Sequence, residues 1–385
     1  IQRSAPSRLR RGPDVLDAAR RSAQRAFIAS GRDLEIGDTR HLPWPPLELQ
    51  RIAPDDARVS RVCDGGLTAE VLRLESPGGA LALKRVRAAS RVRNADGELS
   101  FLNEVMRREE IERLKRLQPG DARWGGLVET TYASYRHGLI VSPWIEGGPV
   151  TEWGERSIGQ VLDSLCLLWG QGLFEWDLSP GNLLDTGRQV MLFDFGYMYP
   201  FDPRRQFNSA GRGDDQPMFH PAERFETRCL SAVLLDLARK AGDAAALALF
   251  RLEKEVAVLA YERMRSEAAQ RGADASVLAW LDGVLAGWRA ALRGDLAGLF
   301  LVEQWRSHVI DVHDDLSGQS CTSLTLHRLD WLEEAVRRHQ GELRARGAFF
   351  WGDEHRSDAE LRQHLAEQRV HAERWQLERP AAQST

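Results

Sequence analysis

Between Phe174 and Gly196 the chain reads FEWDLSPGNLLDTGRQVMLFDFG, and this stretch limits its possible folds more than any other. Asp177 is followed five residues later by Asn182, and Asp194 opens an Asp-Phe-Gly triplet after an apolar run, Val190 to Phe193, that reads as a strand. Two carboxylates and an amide supply oxygen ligands, the kind a hard cation such as magnesium takes. Alone, an Asp-Phe-Gly triplet or an Asp-rich loop is an ordinary turn. Here they come in order, behind a helix-like run from Ile158 to Gly172, and it is the combination that carries information.

The arrangement resembles the catalytic loop and metal-binding triplet of the protein-kinase-like superfamily, written H-R-D-x-x-x-x-N and D-F-G. The resemblance implies an α+β, bilobal fold: a small antiparallel N-lobe sheet with one helix, then a large, mostly helical C-lobe, here with a helical C-terminal extension. It implies ATP and Mg2+ as cofactors. In phosphoryl transfer the protein contributes positioning and charge stabilisation. By the resemblance, Asp177 accepts the proton of the attacking hydroxyl, while Asn182 and Asp194 hold magnesium.

The upstream half can be read against the same pattern. Leu81-Ala82-Leu83-Lys84 ends an alternating apolar run after the turn Ser76-Pro77-Gly78-Gly79 and is similar to V-A-I-K, which makes Lys84 the phosphate-contacting lysine and places Ala82 against the nucleotide. Val59–Val62 and Ala69–Leu74 read as strands around Asp64-Gly65-Gly66-Leu67-Thr68. Aligned on Val71, the family's three loop glycines fall on Asp64, Gly66 and Ala69, so only the central one is kept. Gly65 and Gly66 still let backbone amides approach a phosphate. Glu98 to Leu117 is an amphipathic helix candidate with Leu102, Val105, Ile111, Leu114 and Leu117 as its apolar set. Glu104 is the preferred partner of Lys84, Glu109 is its main rival, and a solvated helix face is the plain alternative. Gly138 to Gly147 reads as a strand entering a hinge, with the backbone of Pro143, Trp144 and Ile145 meeting adenine.

Departures from the family pattern carry information too. Glu175 and Trp176 stand where His and Arg precede the catalytic Asp, so activation by loop phosphorylation is not expected. Ser179 replaces the lysine that steadies the transferring phosphoryl group. Asp-Leu-Ser-Pro-Gly-Asn is similar to atypical bacterial kinases and to the aminoglycoside and choline phosphotransferases. Pro221-Ala222-Glu223 is only faintly similar to the A-P-E segment.

Composition agrees with a globular chain. At 385 residues with a net charge of −4, it has room for two lobes and no dominant nucleic-acid surface. Cys63, Cys166, Cys229 and Cys321 have no C-x-x-C spacing and read as buried thiols of a reducing compartment. No apolar run is long enough for a membrane span. The opening residues lack the pattern of a secretory signal, and the expected location is cytoplasmic.

The segmentation that follows is 1–48, a basic tail, a short helix from Asp14 to Ala29 and the stiff connector Leu42-Pro43-Trp44-Pro45-Pro46; 49–145, the N-lobe; 146–230, the catalytic core; and 231–385, the helical remainder. Gly272, Gly294, Gly318 and Gly341 are expected helix breaks. In His308 to Asp315, Asp311 and Asp315 share a helix face that could meet a cationic acceptor or be a plain solvated face. Trp280, Trp288, Trp305 and Trp331 read as core, and Trp351 and Trp375 as anchors of the final helices.

The expected function is ATP- and magnesium-dependent transfer of a γ-phosphoryl group to a hydroxyl. Protein serine or threonine leads as acceptor, because Tyr197 to His220 leaves room for a groove. The alternatives are a small-molecule kinase of the aminoglycoside or choline type, an AMP transferase, and a pseudokinase binding module.

Overall fold

The computed structural model describes residues 13–63, 66, 68–87, 95–211 and 218–377. Asp64, Gly65 and the arginines of the basic tail up to Arg11 lie outside the described residues. The chain forms two compact units. One holds the described residues of Arg10–Arg212 with Gln270–Ala273, the other those of Gly213–Ala269 with Asp274–Thr385.

The first unit begins with α1 (Pro13–Ala29), β1 (Glu35–Gly37), α2 (Pro46–Arg51), β2 (Val59–Cys63), β3 (Ala69–Leu74), β4 (Leu81–Val86), α3 (Ala95–Leu117), β5 (Tyr132–Ser134) and β6 (Leu139–Pro143). The strands make one antiparallel sheet in the order β1-β5-β6-β4-β3-β2. Side chains alternate across a strand, so each strand serves two cores. Leu72, Leu74, Leu83, Leu139 and Val141 face Leu49 and Ile52, with Leu42 and Trp44 packed alongside. Ile36, Ala133 and Ile140 meet Phe101 and Val105 of α3 on the opposite face. Each fully buried Leu or Ile contributes roughly 1.5–3 kcal/mol, which fixes the register.

This differs from the sequence expectation at one boundary. The Pro-rich segment is not a spacer ahead of the lobe but a cover on one face of its sheet, and β1, which precedes it, supplies an edge strand paired with β5. Trp44 and Leu42 are apolar, and the sheet face they cover would otherwise meet water.

The same unit continues through α4 (Glu155–Gly170), β7 (Leu173–Glu175), β8 (Leu183–Asp185), β9 (Val190–Leu192) and β10 (Met198–Pro200). Hairpin β8–β9 and the pair β7–β10 are both antiparallel. Helix α4 buries Ile158, Val161, Leu162, Leu165 and Trp169. The chain then reverses at Gly172, whose φ is +80° and where a Cβ would lie 2.5 Å from the Phe201 carbonyl oxygen. Only glycine meets both conditions.

The second unit is helical: α5 (Pro221–Phe225), α6 (Ser231–Ala241), α7 (Asp243–Gln270), α8 (Ala275–Ala290), α9 (Leu296–Gly318), α10 (Ser323–Ala345) and α11 (Asp358–Arg374). Single π-helical turns, Glu226–Leu230 and Ala291–Asp295, join α5 to α6 and α8 to α9. Gly272 separates α7 from α8 and Gly318 ends α9, as expected, but Gly294 lies in a π-turn and Gly341 inside α10. A mid-helix glycine costs only about 1 kcal/mol, which neighbouring packing overrides. Trp280, Trp288 and Trp305 are buried, and Trp331, Trp351 and Trp375 pack on the core formed around Leu329, Leu332 and Leu361.

In the segment His308 to Asp315, the face that Asp311 and Asp315 share meets partners from the same unit. Asp311 is buried and accepts from Arg228 at 2.7 Å and from Arg328 at 2.5 Å, while Asp315 accepts from Thr325 at 2.6 Å. The polar face of α9 is an internal ion-pair seam. Among the described residues no helix is long and apolar enough to cross a membrane. Cys63, Cys166, Cys229 and Cys321 form no disulfide, with Cys63 half-buried and the others buried.

Candidate functional site

Strand alternation sends Leu81 and Leu83 to one core and Ala82 and Lys84 to the α3 side of the sheet. There the Lys84 Nζ lies 2.6 Å from Glu104 Oε2 and 2.9 Å from Asp194 Oδ2. Glu104 is buried on α3, whereas Glu109 is exposed on that helix, so Glu104 takes the pair. Burial alone would lower the Lys84 pKa, but the charges of Asp194 and Glu104 outweigh it and hold the ammonium above its ordinary value. At Asp194, burial works against ionisation, and Lys84 outweighs it, so the carboxylate titrates below the ordinary range.

The β8–β9 hairpin brings Asn182 beside Phe193, the residue before Asp194. Leu183 pairs with Leu192, which sets Asn182 opposite Phe193, and the Phe193 N–H donates to the Asn182 carbonyl at 3.3 Å. The Asn182 side-chain NH2 donates to the Asp177 carbonyl at 2.7 Å, and its amide oxygen is the end a cation could take. Asp194 Oδ1 accepts from the Gly196 N–H at 3.1 Å. The loop is held from behind as well. Glu175 Oε1 accepts the Asp177 N–H at 2.8 Å, the Trp176 N–H donates to the Tyr197 carbonyl at 3.3 Å, and Trp176 Nε1 donates to Ser209 Oγ at 2.8 Å. Glu175 and Trp176 are therefore structural ties of this loop. Burial, with Asp177, Asp194 and Glu104 nearby, pushes the Glu175 carboxyl well above the ordinary range.

The sequence-derived nucleotide residues lie on and after the central strands β4 and β6 and at the β2–β3 turn. Ala82 pairs with Ser142 across β4–β6, Leu81 pairs with Pro143, and the Trp144 N–H donates to the Ala80 carbonyl at 2.9 Å. Pro143 is exposed, and Trp144 and Ile145 are half-buried. At Gly66 a Cβ would lie 2.4 Å from the Ala69 carbonyl oxygen, so the turn between β2 and β3 admits only glycine.

Three residues that tie the site together were given no role by the sequence reading. Gly147 lies so close to Asp185 that a Cβ would meet its carbonyl oxygen at 2.6 Å, joining the hinge to β8. Arg108 is buried and donates to Glu104 Oε1 at 3.0 Å, to the Phe193 carbonyl at 2.7 Å and to Thr130 Oγ1 at 3.1 Å. Asn103 Nδ2 donates to the carbonyls of Gly196 at 3.0 Å and Met198 at 2.8 Å. An arginine four residues after a glutamate is, from sequence, an ordinary helix-surface pair. Only the fold buries it.

The oxygen donors of Asn182 and Asp194 would suit a hard cation such as magnesium. Among the described residues no group of three or more His, Cys, Asp or Glu side chains could cage a metal. Magnesium is usually held by one or two protein oxygens together with substrate phosphates, and Asn182 with Asp194 offers such a partial set. Lys84, beside Asp194, would offer a cation to such phosphates. Comparison with family models gives no match, and comparison with curated proteins gives none.

Proposed function

We propose that the first unit has a protein-kinase-like fold and is an ATP- and magnesium-dependent phosphotransferase acting on a hydroxyl. The observation that carries the reading is the double contact of Lys84 with Glu104 and Asp194, three residues far apart in sequence and of the types that the motif resemblance requires. Lys84 holds the nucleotide phosphates, and the backbone at Pro143 to Ile145 receives the adenine. Asn182 and Asp194 hold magnesium, which when bound neutralises charge on the phosphates. Asp177 takes the acceptor's proton as its oxygen bonds the γ-phosphorus and ADP leaves. Catalysis of this kind is positioning, so the backbone ties on Asp177 and Asn182 belong to it.

The proposed acceptor is a protein serine or threonine. A small-molecule alcohol is the second reading, favoured by the packing of the segment after the Asp-Phe-Gly triplet. Tyr199 and Asn208 are buried, and the Phe207 carbonyl accepts from Trp169 Nε1 at 2.8 Å, so the described part of this segment is folded down and does not line an open groove.

Mass spectrometry of the wild type and of Asp194→Ala, incubated with magnesium and ATP with and without a generic protein acceptor, tests the proposal. A phosphoryl gain on protein, lost in the variant, is the expected result. ATP consumption stimulated only by small alcohols or amino sugars moves the acceptor to the second reading. An adenylyl gain, or no nucleotide turnover with any acceptor, overturns phosphoryl transfer in favour of AMP transfer or of a binding module.

A further inference from the structure

The backbone on either side of Asp194 is gripped by two side chains of one helix. Arg108 Nη2 donates to the carbonyl of Phe193, the residue before Asp194, at 2.7 Å. Asn103 Nδ2 lies 3.4, 3.0 and 2.8 Å from the carbonyl oxygens of Phe195, Gly196 and Met198, the residues after it. Both side chains are buried, at 3% and 2% exposure, so these bonds do not compete with water. The Arg108 guanidinium also stands 5.1 Å from the centre of the Phe195 ring. Its remaining donors reach Glu104 Oε1, Thr130 Oγ1 at 3.1 Å and Ser142 Oγ at 3.4 Å. Asn103 is backed in turn by Gln24 of α1, whose Nε2 donates to Asn103 Oδ1 at 3.2 Å.

From this bracket we infer that Asn103 and Arg108 are positioning residues, which hold the Asp194 backbone in the geometry that presents its carboxylate to a metal–nucleotide. The inference rests on the phosphotransfer reading. Glu104, Lys84, Asp194 and Arg108 form a closed ring: Lys84 bonds both carboxylates, Arg108 bonds Glu104, and Arg108 bonds the carbonyl next to Asp194. Two cations and two carboxylates balance, so the ring carries no net charge. A planar guanidinium can serve a carboxylate, a carbonyl and a hydroxyl together, which a lysine ammonium at the same position cannot reach in that geometry. The bracket is made entirely inside the unit, by groups that are permanently charged or polar. The Asp-Phe-Gly geometry is thereby set without a phosphorylated loop, in keeping with Trp176 standing where the phosphate-clamping arginine would be.

The test uses the full chain with Arg108→Lys, which keeps the charge and loses the fork, and Asn103→Ser, which shortens the amide. Two quantities are read: hydrogen–deuterium exchange over 193–198 with 69–74 as the internal control, and affinity for ATP with and without magnesium. Both variants are expected to speed exchange over 193–198 alone. They are also expected to weaken magnesium-dependent ATP affinity about tenfold, as loss of a supporting partner does at metal sites, leaving magnesium-free affinity unchanged. Unchanged exchange over 193–198, equal loosening of 69–74, or local loosening with intact magnesium dependence each overturns the assignment. A wild type that binds no magnesium–ATP is a different failure, visible without any variant, and removes the phosphotransfer reading beneath it.

Discussion

The Lys84 ammonium lies 2.6 Å from the Glu104 carboxylate, bridging β4 and α3. Glu104 is buried and also neutralises Arg108, so removing its charge leaves two cations sharing Asp194. Glu104→Gln is expected to lower kcat/KM about 10²-fold, as loss of a preorganised charge does. It should also destabilise the unit by about 3–5 kcal/mol, the cost of breaking a buried pair from one side. Steady-state kinetics and urea unfolding check both, and Glu109→Gln, on the exposed face, should change neither.

Glu175 offers a pH prediction. Its folded pKa is raised by burial and by the carboxylates around it, so the native state holds a proton that the unfolded chain releases near the ordinary glutamate value. Stability from this group is therefore fully present below the ordinary value and is lost as pH rises from there through the raised folded value. Glu175→Gln keeps the acceptor for the Asp177 N–H and removes the proton. The variant should fold with a higher urea midpoint than the wild type at neutral pH, and with a flatter midpoint between pH 5 and pH 8, a window set by about pH 4.3 for an unperturbed glutamate. A wild type that gains stability across that window would contradict it.

In the helical unit, Lys254 is fully buried among Glu226 at 2.6 Å, Glu253 at 3.2 Å and Glu303. Lys254→Met leaves these carboxylates with Arg306, which is 2.6 Å from Glu226, as the nearby cation. The expected loss is about 3–5 kcal/mol, the range for uncovering a buried charge. Chemical denaturation followed by tryptophan fluorescence reads it, since Trp288 packs 4.8 Å from the lysine nitrogen.

His220 makes the same unit acid-sensitive. Its Nδ1 accepts from the Glu223 N–H at 3.2 Å and shares a 2.7 Å hydrogen bond with the Tyr261 hydroxyl, an arrangement that needs the neutral ring. Burial, reinforced by Arg306, lowers its pKa to about 3. Because the unfolded imidazole protonates near pH 6.5, stability falls as pH drops from there towards 3, by a few kcal/mol in all. His220→Asn retains a helix-capping oxygen and does not titrate. Its unfolding free energy should fall less steeply between pH 6 and pH 4, whatever its value at pH 7.

The sequence carried the strands of the sheet well where apolar residues alternate, as in Ala69–Leu74, and carried α3 almost to its ends. It carried the types and order of Lys84, Asp177, Asn182 and Asp194. It misread Leu42 to Pro46 as a spacer, because prolines specify a stiff backbone and say nothing of which surface the neighbouring Trp44 and Leu42 will cover. It left the face of His308 to Asp315 open between a ligand site and solvent, because helical spacing shows which side chains share a face and not what that face meets. The partners that bury it, Arg228 and Arg328, lie far away in the chain.

Local chemistry is written in the chain: a strand's period of two, the turn that only Gly66 can make, the hairpin that sets Asn182 beside Phe193. Those features act over a few residues and need nothing else to be specified. Which charge meets which was decided by tertiary structure alone. Glu104 and Glu109 are both glutamates on one helix, and Arg108 reads as any surface arginine. Burial picks between them, because a charge removed from water must find its counter-charge, and that partner is supplied by whichever strand the packed core happens to hold alongside.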